Sequence, residues 1–492
     1  MEHIKGESRD QLVLFTETID SVIDEKNPVR IIDAYVDKLD FKKLGFKLKE
    51  SPIGRPSYSF GVLLKIFFYG YINKIRSSRK LENECRRNIE LIWLTGRLSP
   101  DFKTLADFRR DNTKGITSLF KEFLKLCHKL DLISFKLAGI DGTKISAQNS
   151  MGNIYRRDNI EEIAKKIDEK IIQYLKELEL NDQEEESEFE FLSRNIEKKL
   201  KSLKTRKGKV ARIKEIFEAD LELDVYYAND PDSRLGKDKG KSDVLYNAQM
   251  AVDEKHKLIV VAEVTNENND LQQLSNIVNK VEEIKNELGV DNVVTIKVAD
   301  AGYYSEKEIL SVVDSGHEVY VPSPRDENRK RNEGKEEKPG QVPTREYNRE
   351  NFIFNKEANN LMCPDGKLLV LTATFADRGR ILAEYTCNNK ECCNKDKCTK
   401  DKEKRRVKLS VRKQDMDRFD DNVRSELGKK IVGKRKELAE HPFGTIKRSQ
   451  DHGYFLLKGK DKVNCEFNFT SFIYNFKRVL NIAGFDALLA AF

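Results

Sequence analysis

Three acidic residues occur where their carboxylates could be presented to one point. Asp141 lies in LAGIDGTKISA and Asp300 in TIKVADAGYYS, and each directly follows an apolar run that predicts a strand ending at the aspartate. Glu440 lies in KRKELAEHPFGTIKR, a basic stretch that predicts a helix. Carboxylates from two strand ends and a helix can hold two Mg²⁺ ions, which activate an attacking oxygen and stabilise a leaving oxygen. These residue types therefore predict metal-dependent phosphoryl transfer.

Each of these signals also has a simpler explanation. A single Asp after a strand is usually a turn former or a helix cap, whereas two in this order with a third carboxylate favour a metal site. Glu440 and Lys447 are seven residues apart, which is two helical turns, so we expect them on one face. The lysine would then contact a phosphate, although the pair alone would be read as an ordinary surface ion pair. Pro442 lies between them and predicts that the helix begins or bends there.

The elements that must position these residues follow one another in a recognisable order. FKLAGIDGTKISA predicts a strand, LYNAQMAVDEKHKLIVVAEVT a hairpin, LQQLSNIVNKVEEIKNEL a helix, and NVVTIKVAD and HEVYVPS two more strands. This is the order of an α/β ribonuclease H-like core, in which the first and fourth strands are neighbours. Asp141 and Asp300 should therefore lie side by side. Asn247 and Gln249, on the predicted second strand, are expected to support the site.

The chain is too long for one hydrophobic core, and its pattern predicts a core interrupted by two insertions. An all-helical N-terminal domain for DNA binding or assembly is expected first, with a cluster of basic residues that could dock on DNA. That cluster comprises Arg76, Arg79, Lys80, Arg86 and Arg87. The predicted boundaries are 1–125 for the helical domain, 130–324 and 421–492 for the catalytic core, 159–219 for a helical-hairpin insertion, and 325–420 for a β-rich insertion that contains a cysteine cluster.

Charge is distributed unevenly along the chain. The net charge of +7 is too small to indicate nucleic acid by itself, but residues 395–413 contain ten Lys and Arg against three acids. Residues 429–448 contain seven against two. Basic segments around an acidic site suit a polyanionic substrate, while a solvated surface is the plainer explanation of each run. No signal peptide or membrane span is recognised, so a cytoplasmic protein is expected.

Five of the eight cysteines lie in the second insertion. Cys387, Cys392, Cys393 and Cys398 lie in YTCNNKECCNKDKCTK, with Cys363 upstream in MCPDGK. We interpret the first four as a candidate Zn²⁺-binding knuckle, although paired C-x2-C units are missing. Structural disulfides are not expected in a cytosolic protein.

Together, these segments resemble the DDE transposases of bacterial insertion sequences, in the branch with a long helical N-terminal domain and an E-H-P-F-G-T-I-K segment at the third carboxylate. The resemblance covers nearly the whole chain. It includes NPVRIIDAYVDKLD, YGYINKIRSSRKLE, PDFKTLADFR, IDGTKISAQNS, DPDSR, YNAQMAVD, VADAGYYS, AEHPFGTIKR and IYNFKR in this order.

The resemblance implies that Asp141, Asp300 and Glu440 are the catalytic, metal-binding triad. It also implies DNA contacts from Lys447, Arg435 and Arg448. Relatives carry a Tyr-x2-Arg-x3-Glu-x6-Lys arrangement, but here Gly433 and Lys436 occupy the tyrosine and arginine positions. Arg435, one residue before the arginine position, would then take the place of that arginine.

The activity implied is cleavage at transposon ends and strand transfer into target DNA, with two Mg²⁺ ions that Mn²⁺ could replace. The implied partners are double-stranded DNA, as end repeats and target, and a second copy of the chain in a homodimeric synaptic complex. No membrane partner is expected, and the protein would be cytoplasmic and associated with the nucleoid. Two alternatives stay open: a catalytically silent DNA-binding protein derived from a transposase, and a metal-dependent nuclease on the same core.

Overall fold

The N-terminal part of the protein is a group of packed helices. In the computed structural model, residues 18–47, 57–181, 187–238, 240–326, 344–377, 380–387, 392–401 and 404–492 are described. The helices of this part are α1 (Pro28–Asp37), α2 (Phe60–Ile72), α3 (Ser78–Arg87), α4 (Ile89–Thr95), α5 (Phe102–Asp111) and α6 (Thr113–Lys129). Four of these helices, α1, α2, α4 and α5, are capped at their N-termini by the side-chain oxygens of Asn27, Ser59, Asn88 and Asp101. Helix α2 is apolar on nearly every side, and it is buried for that reason.

The central element is a mixed sheet. Its strands are β1 (Leu137–Ser146), β4 (Arg234–Asp238), β5 (Lys241–Asp253), β6 (Ile259–Thr265), β7 (Ile296–Val298) and β8 (Val319–Tyr320). They run in the order β4-β5-β1-β7-β8, and β6 also pairs with β5. Strand β1 is antiparallel to β5 and parallel to β7, with Gly139 opposite Val298. The prediction that the first and fourth strands of the series are neighbours is confirmed.

Helices cover this sheet and complete its core. They are α9 (Leu274–Leu288), α10 (Glu306–Asp314), α12 (Lys413–Arg424), α13 (Glu426–Gly444), α14 (Lys460–Ala483) and α15 (Phe485–Ala490). Helix α14 joins the sheet to the N-terminal helices through stacked and edge-on aromatic rings. Phe476 lies 4.6 Å from Phe68 of α2 and 5.6 Å from Phe123 of α6, measured between ring centroids. The sheet and the N-terminal helices therefore share one hydrophobic core.

Two further bodies extend from the sheet. One is a pair of long helices, α7 (Ile160–Asn181) and α8 (Ser187–Ala219), flanked by the short strands β2 (Ile154–Arg156) and β3 (Val225–Tyr227). The other is a small antiparallel sheet in the order β13-β12-β11-β10-β9. Its strands are β9 (Ile353–Asn355), β10 (Asn360–Met362), β11 (Leu368–Asp377), β12 (Arg380–Cys387) and β13 (Arg405–Ser410), with the short helix α11 (Lys395–Cys398) before the last strand.

Three expectations from the sequence are corrected. Strand β1 does not end at Asp141 but continues to Ser146, because β5 is long enough to pair with it as far as Leu245 opposite Ser146. Helix α13 does not begin at Pro442 but extends from Glu426 past the proline to Gly444. A π-helical turn, Thr445–Ser449, follows and interrupts the α-helical phase between Glu440 and Lys447. Arg76, expected on a DNA-docking surface, is buried.

Among the described helices, none has both the length and the apolarity needed to cross a membrane.

Candidate active site

Asp141 occupies the point of the sheet where β7 stops beside β1. The parallel pairing ends at Gly139 opposite Val298, so the next outward-facing residue of β1 on that face, Asp141, lies just past the carboxyl end of β7. Its Oδ1 accepts a hydrogen bond of 2.8 Å from the backbone N–H of Gly142. Only 15% of the Asp141 side chain is exposed. A carboxylate held in this way needs a cation nearby, since burial penalises its charge.

Asp300 lies at the same edge of the sheet, two residues after β7. It caps the short 3₁₀ turn Ala301–Tyr303, and its Oδ1 accepts a 2.9 Å hydrogen bond from the N–H of Gly302. Asp300 therefore acts as the turn former that is expected of an isolated Asp, but 37% of its side chain is still exposed. One oxygen is used by the turn, while the other faces Arg435.

Arg435 of α13 lies between the two aspartates. Its Nη1 is 3.3 Å from Asp141 Oδ2 and 4.0 Å from Asp300 Oδ2, and only 13% of the side chain is exposed. Burial raises the pKa of Asp141 to about 6; the Arg435 guanidinium lowers it, and the Asp300 carboxylate raises it. A single cation thus balances two carboxylates only in part, which leaves the edge of the sheet with an affinity for further positive charge.

Helix α13 can approach β1 this closely because Gly139 has no side chain. A Cβ placed on Gly139 would lie 2.9 Å from the Cβ of Leu438, a distance that real Cβ atoms do not tolerate. The glycine therefore sets the separation between the strand that carries Asp141 and the helix that carries Arg435 and Glu440.

A second polar cluster lies on the other face of β1 and contains a residue that the sequence analysis missed, Asp270. Asn247 and Gln249, expected to support the site, donate hydrogen bonds of 2.7 and 2.6 Å to Asp270 Oδ1. The Lys144 ammonium is 3.8 Å from the same oxygen. The negative charge of Asp270 also contributes to the raised pKa of Asp141, so the two clusters interact. Asp270 lies in a polar loop after β6, where no periodic pattern distinguishes it.

Close packing in this cluster depends on Gly142. A Cβ at Gly142 would lie 2.5 Å from Gln249 Nε2 and 2.7 Å from Asp270 Oδ1. The glycine after Asp141 thus allows this side-chain cluster to approach β1 closely.

The remaining predicted residues lie at different places. Glu440 is exposed on α13 and is about 140° around the helix from Arg435, so it points away from the line that joins Arg435 to the aspartates. Lys447, in the π-helical turn, donates a 2.6 Å hydrogen bond to the backbone oxygen of Lys144 and is 3.9 Å from Asp238 Oδ2. Arg448 is exposed. Of the predicted triad, the structure brings Asp141 and Asp300 together, with Arg435 between them.

The four cysteines of the predicted knuckle, and Cys363, belong to the small sheet and its loops. Cys387 is the last residue of β12, Cys398 ends α11 and is buried, Cys392 is half-buried, and Cys393 is exposed. Cys363 directly follows β10.

The donor set at the edge of the main sheet fits a hard divalent cation. Mg²⁺ binds oxygen ligands, often through only one or two carboxylates, and completes its shell with water and substrate phosphates. Asp141 and Asp300 supply two such carboxylates with incompletely balanced charge. In the described part of the chain, no three His, Cys, Asp or Glu side chains are grouped closely enough to hold a metal ion by themselves. Substrate oxygens would therefore have to complete the coordination.

Comparisons with known protein families agree with this chemistry. Residues 17–111 match a family described as a transposase domain (DUF772), and residues 362–480 match one described as a transposase DDE domain. The second match includes Arg435, Glu440 and Lys447. No curated protein matches the chain significantly. The two family matches, on either side of a sheet that sets Asp141 beside Asp300, identify the chain as a member of the DDE transposases of insertion-sequence type.

Proposed function

We propose that this transposase cleaves DNA at transposon ends and joins the freed end to target DNA, on a ribonuclease H-like core. The observation that supports this most directly is the convergence of Asp141 and Asp300 at the edge where β7 meets β1. The strand series β6-β5-β1-β7-β8, with three antiparallel members followed by two parallel ones, supports the proposed core.

The proposed mechanism has two phosphoryl transfers at one site. In the first, a water oxygen attacks the scissile phosphorus, and the 3′ oxygen of the transposon strand leaves. In the second, that 3′-hydroxyl attacks a phosphorus of the target, and a target 3′ oxygen leaves. Bound Mg²⁺, or Mn²⁺ in its place, would activate the attacking oxygen and stabilise the leaving one. No covalent enzyme intermediate is needed.

The residues of the chain would divide this work by position. Asp141 and Asp300 would hold the cations, and Glu440 would complete the triad when DNA brings the phosphate into the site. Glu440 is exposed without substrate, so its recruitment depends on the bound complex. Arg435 would neutralise part of the charge of the carboxylate pair before DNA binds, and it could transfer to a phosphate afterwards. Lys447 and Arg448 bind the backbone next to the scissile bond.

The wider assembly is proposed on the same basis. Residues 1–125 would bind DNA or assemble the complex, 130–324 and 421–492 would form the catalytic core, and the segments 159–219 and 325–420 would be insertions. A homodimer would bring two transposon ends together, and the protein would act at the nucleoid in the cytoplasm.

The test is Mg²⁺-dependent cleavage of labelled DNA that carries the ends flanking the gene. The variants are Asp300→Asn and Glu440→Gln, with Glu437→Gln as a matched control, because Glu437 is also an exposed glutamate on α13. We expect specific nicking at the element boundary by the wild type and by Glu437→Gln. Both active-site variants should lose at least about 10³-fold in rate while still binding the ends.

Other outcomes separate the alternatives. Full cleavage by Glu440→Gln would remove that residue from the triad. End binding without cleavage by the wild type would indicate a silent, transposase-derived DNA-binding protein. Cutting that ignores the boundary, lost in Asp300→Asn, would indicate a nuclease.

A further inference from the structure

Two loops that carry cysteines meet at one end of the small sheet. Cys398 is only 9% exposed and belongs to the hydrophobic core of that sheet, where Cys363 and Cys387 pack against it as partly buried neighbours. Cys392 opens the turn that leads into α11, the helix that ends at Cys398. Four of the thiols in this part of the chain therefore come from three separate segments and point to one region.

The first loop has the form of a metal knuckle. In Cys363-Pro-Asp-Gly-Lys367, the N–H of Gly366 donates to the Cys363 oxygen at 2.8 Å, and the N–H of Cys363 donates to the Lys367 oxygen at 2.8 Å. Gly366 has φ +73°, which the tight turn requires. The N–H of Lys367 then points at Cys363 Sγ, 3.3 Å away. A hydrogen bond from a backbone N–H can hold the sulfur in position as a ligand, as outer hydrogen bonds do at metal sites.

The second loop is hydrogen-bonded to the first. Asn394, between Cys392 and Cys398, donates a 3.0 Å hydrogen bond to Asp365 Oδ2 at the tip of the first loop. The Tyr347 hydroxyl also donates to Asp365, at 2.8 Å. The turn itself is held by hydrogen bonds from Lys395 N to Cys392 O and from Cys398 N to Asn394 O. These contacts hold the two loops together without any bond between the cysteines.

Exposure separates the four thiols from Cys393. Cys398 is buried, and Cys363, Cys387 and Cys392 are half-buried. Cys393 is exposed. Arg405, which stacks over Phe352 at 5.7 Å, adds positive charge next to the cluster.

We propose that Cys363, Cys387, Cys392 and Cys398 form a four-thiolate site for one structural Zn²⁺ ion that fastens the two loops to the small sheet. Zinc favours tetrahedral coordination by four cysteines, and such closed sites contribute directly to folding. This set differs from the one predicted from sequence, because Cys363 replaces Cys393. The thiols are not grouped within metal-binding distance in the described residues, so rotation about each Cα–Cβ bond must close the set when zinc binds.

The first test is the metal content of the full-length protein purified without added metal. We expect about one zinc per chain in the wild type and in the matched control Cys393→Ser. Cys363→Ser and Cys398→Ser should each lose most of it. Equal zinc in Cys398→Ser and wild type, loss in Cys393→Ser but not in Cys363→Ser, or iron in place of zinc would overturn the proposal.

A second measurement needs no substitution and therefore does not depend on how the variants fold. Thiol labelling of the native wild-type protein should modify Cys393 rapidly, while Cys363, Cys387, Cys392 and Cys398 stay protected. A strong zinc chelator should expose these four to labelling and release zinc in step. Rapid labelling of all five before chelation, located by mass spectrometry, would contradict a closed site.

Discussion

At the scale of single residues, the candidate active site carries more negative charge than its one arginine can balance. Arg435 is 3.3 Å from Asp141 but 4.0 Å from Asp300, so one guanidinium serves two carboxylates. The raised pKa of Asp141, about 6, shows that burial outweighs this compensation. Such a site lowers the stability of the folded protein. Functional sites often carry this cost, and here a bound cation would offset the excess negative charge.

This balance predicts how stability depends on pH. The pKa of Asp141 is raised on folding, so the folded state binds the proton more tightly than the unfolded state between about pH 4 and pH 6. The protonated Asp141 carboxyl contributes to the free energy of unfolding below the pKa that Asp141 has in the unfolded state. This contribution is lost as pH rises through the pKa that Asp141 has in the folded state. Asp141→Asn, which stays neutral, should be about 2–3 kcal/mol more stable than wild type at pH 7.5. The difference should fall below about 1 kcal/mol near pH 4.

Denaturant unfolding without added divalent cations, at pH 7.5 and pH 4, measures this difference. Glu440→Gln is the control, because its carboxylate is exposed and its removal should leave stability unchanged. Added Mg²⁺ should stabilise the wild type and not Asp141→Asn. A less stable Asp141→Asn at pH 7.5 would mean that the ion pair with Arg435 outweighs burial.

At the scale of elements, the site depends on how α13 lies against β1. Leu438 and Gly139 meet without room for another carbon atom, and the π-helical turn after Gly444 directs Lys447 back to the backbone of Lys144. The helix therefore contacts β1 at two levels, and its position determines where Arg435 and Glu440 lie.

Two glycine substitutions should have opposite effects on stability. Gly139→Ala pushes its new methyl group against Leu438 and should destabilise the protein by about 1–3 kcal/mol. Gly433→Ala, on α13 with nothing within 4 Å of the new carbon, should stabilise it by up to about 1 kcal/mol through helix propensity. Denaturant unfolding measures both.

DNA cleavage adds a second readout for the same pair. Gly139→Ala should lower the rate because Arg435 and Glu440 move with the helix, whereas Gly433→Ala should leave it unchanged. Equal stability of the two variants would show that α13 can slide on β1 without strain.

At the scale of the whole molecule, a buried ion pair joins the N-terminal part of the chain to helix α14, which packs on the main sheet. Arg76 Nη2 lies 2.8 Å from Glu466 Oε1 of α14, and the two side chains are 4% and 0% exposed. Arg76 also donates to the Tyr454 oxygen at 2.6 Å, and Glu466 accepts from the N–H groups of Leu456 and Leu457. The pair therefore holds the loop that follows the helix of Glu440, a role unlike the DNA docking expected from sequence.

Breaking this pair should destabilise the protein strongly. Glu466→Gln leaves Arg76 buried without its counter-charge, which costs about 3–5 kcal/mol in comparable cases. Lys80→Gln, at an exposed position of α3, should change stability by less than about 0.5 kcal/mol. The measurement is the free energy of unfolding of both variants. A small effect of Glu466→Gln would mean that the neutral amide satisfies the same donors.

Local pattern was sufficient to predict the strands, the hairpin, the helical N-terminal part and the adjacency of Asp141 and Asp300. Apolar periodicity indicates which face of a helix or strand is buried. The strand order of a ribonuclease H-like sheet then predicts which strand ends are neighbours. The family resemblance pointed to the same two aspartates.

Only the tertiary structure decided the rest, because those features arise between segments far apart in the chain. The full length of β1 comes from its partner β5, the burial of Arg76 from α14, and the cluster around Asp270 from two strands and a loop. The position of Arg435 between the aspartates depends on the contact of Leu438 with Gly139, residues 299 positions apart in the sequence. Side-chain partners at such separations leave no trace in local periodicity, so packing alone selects them.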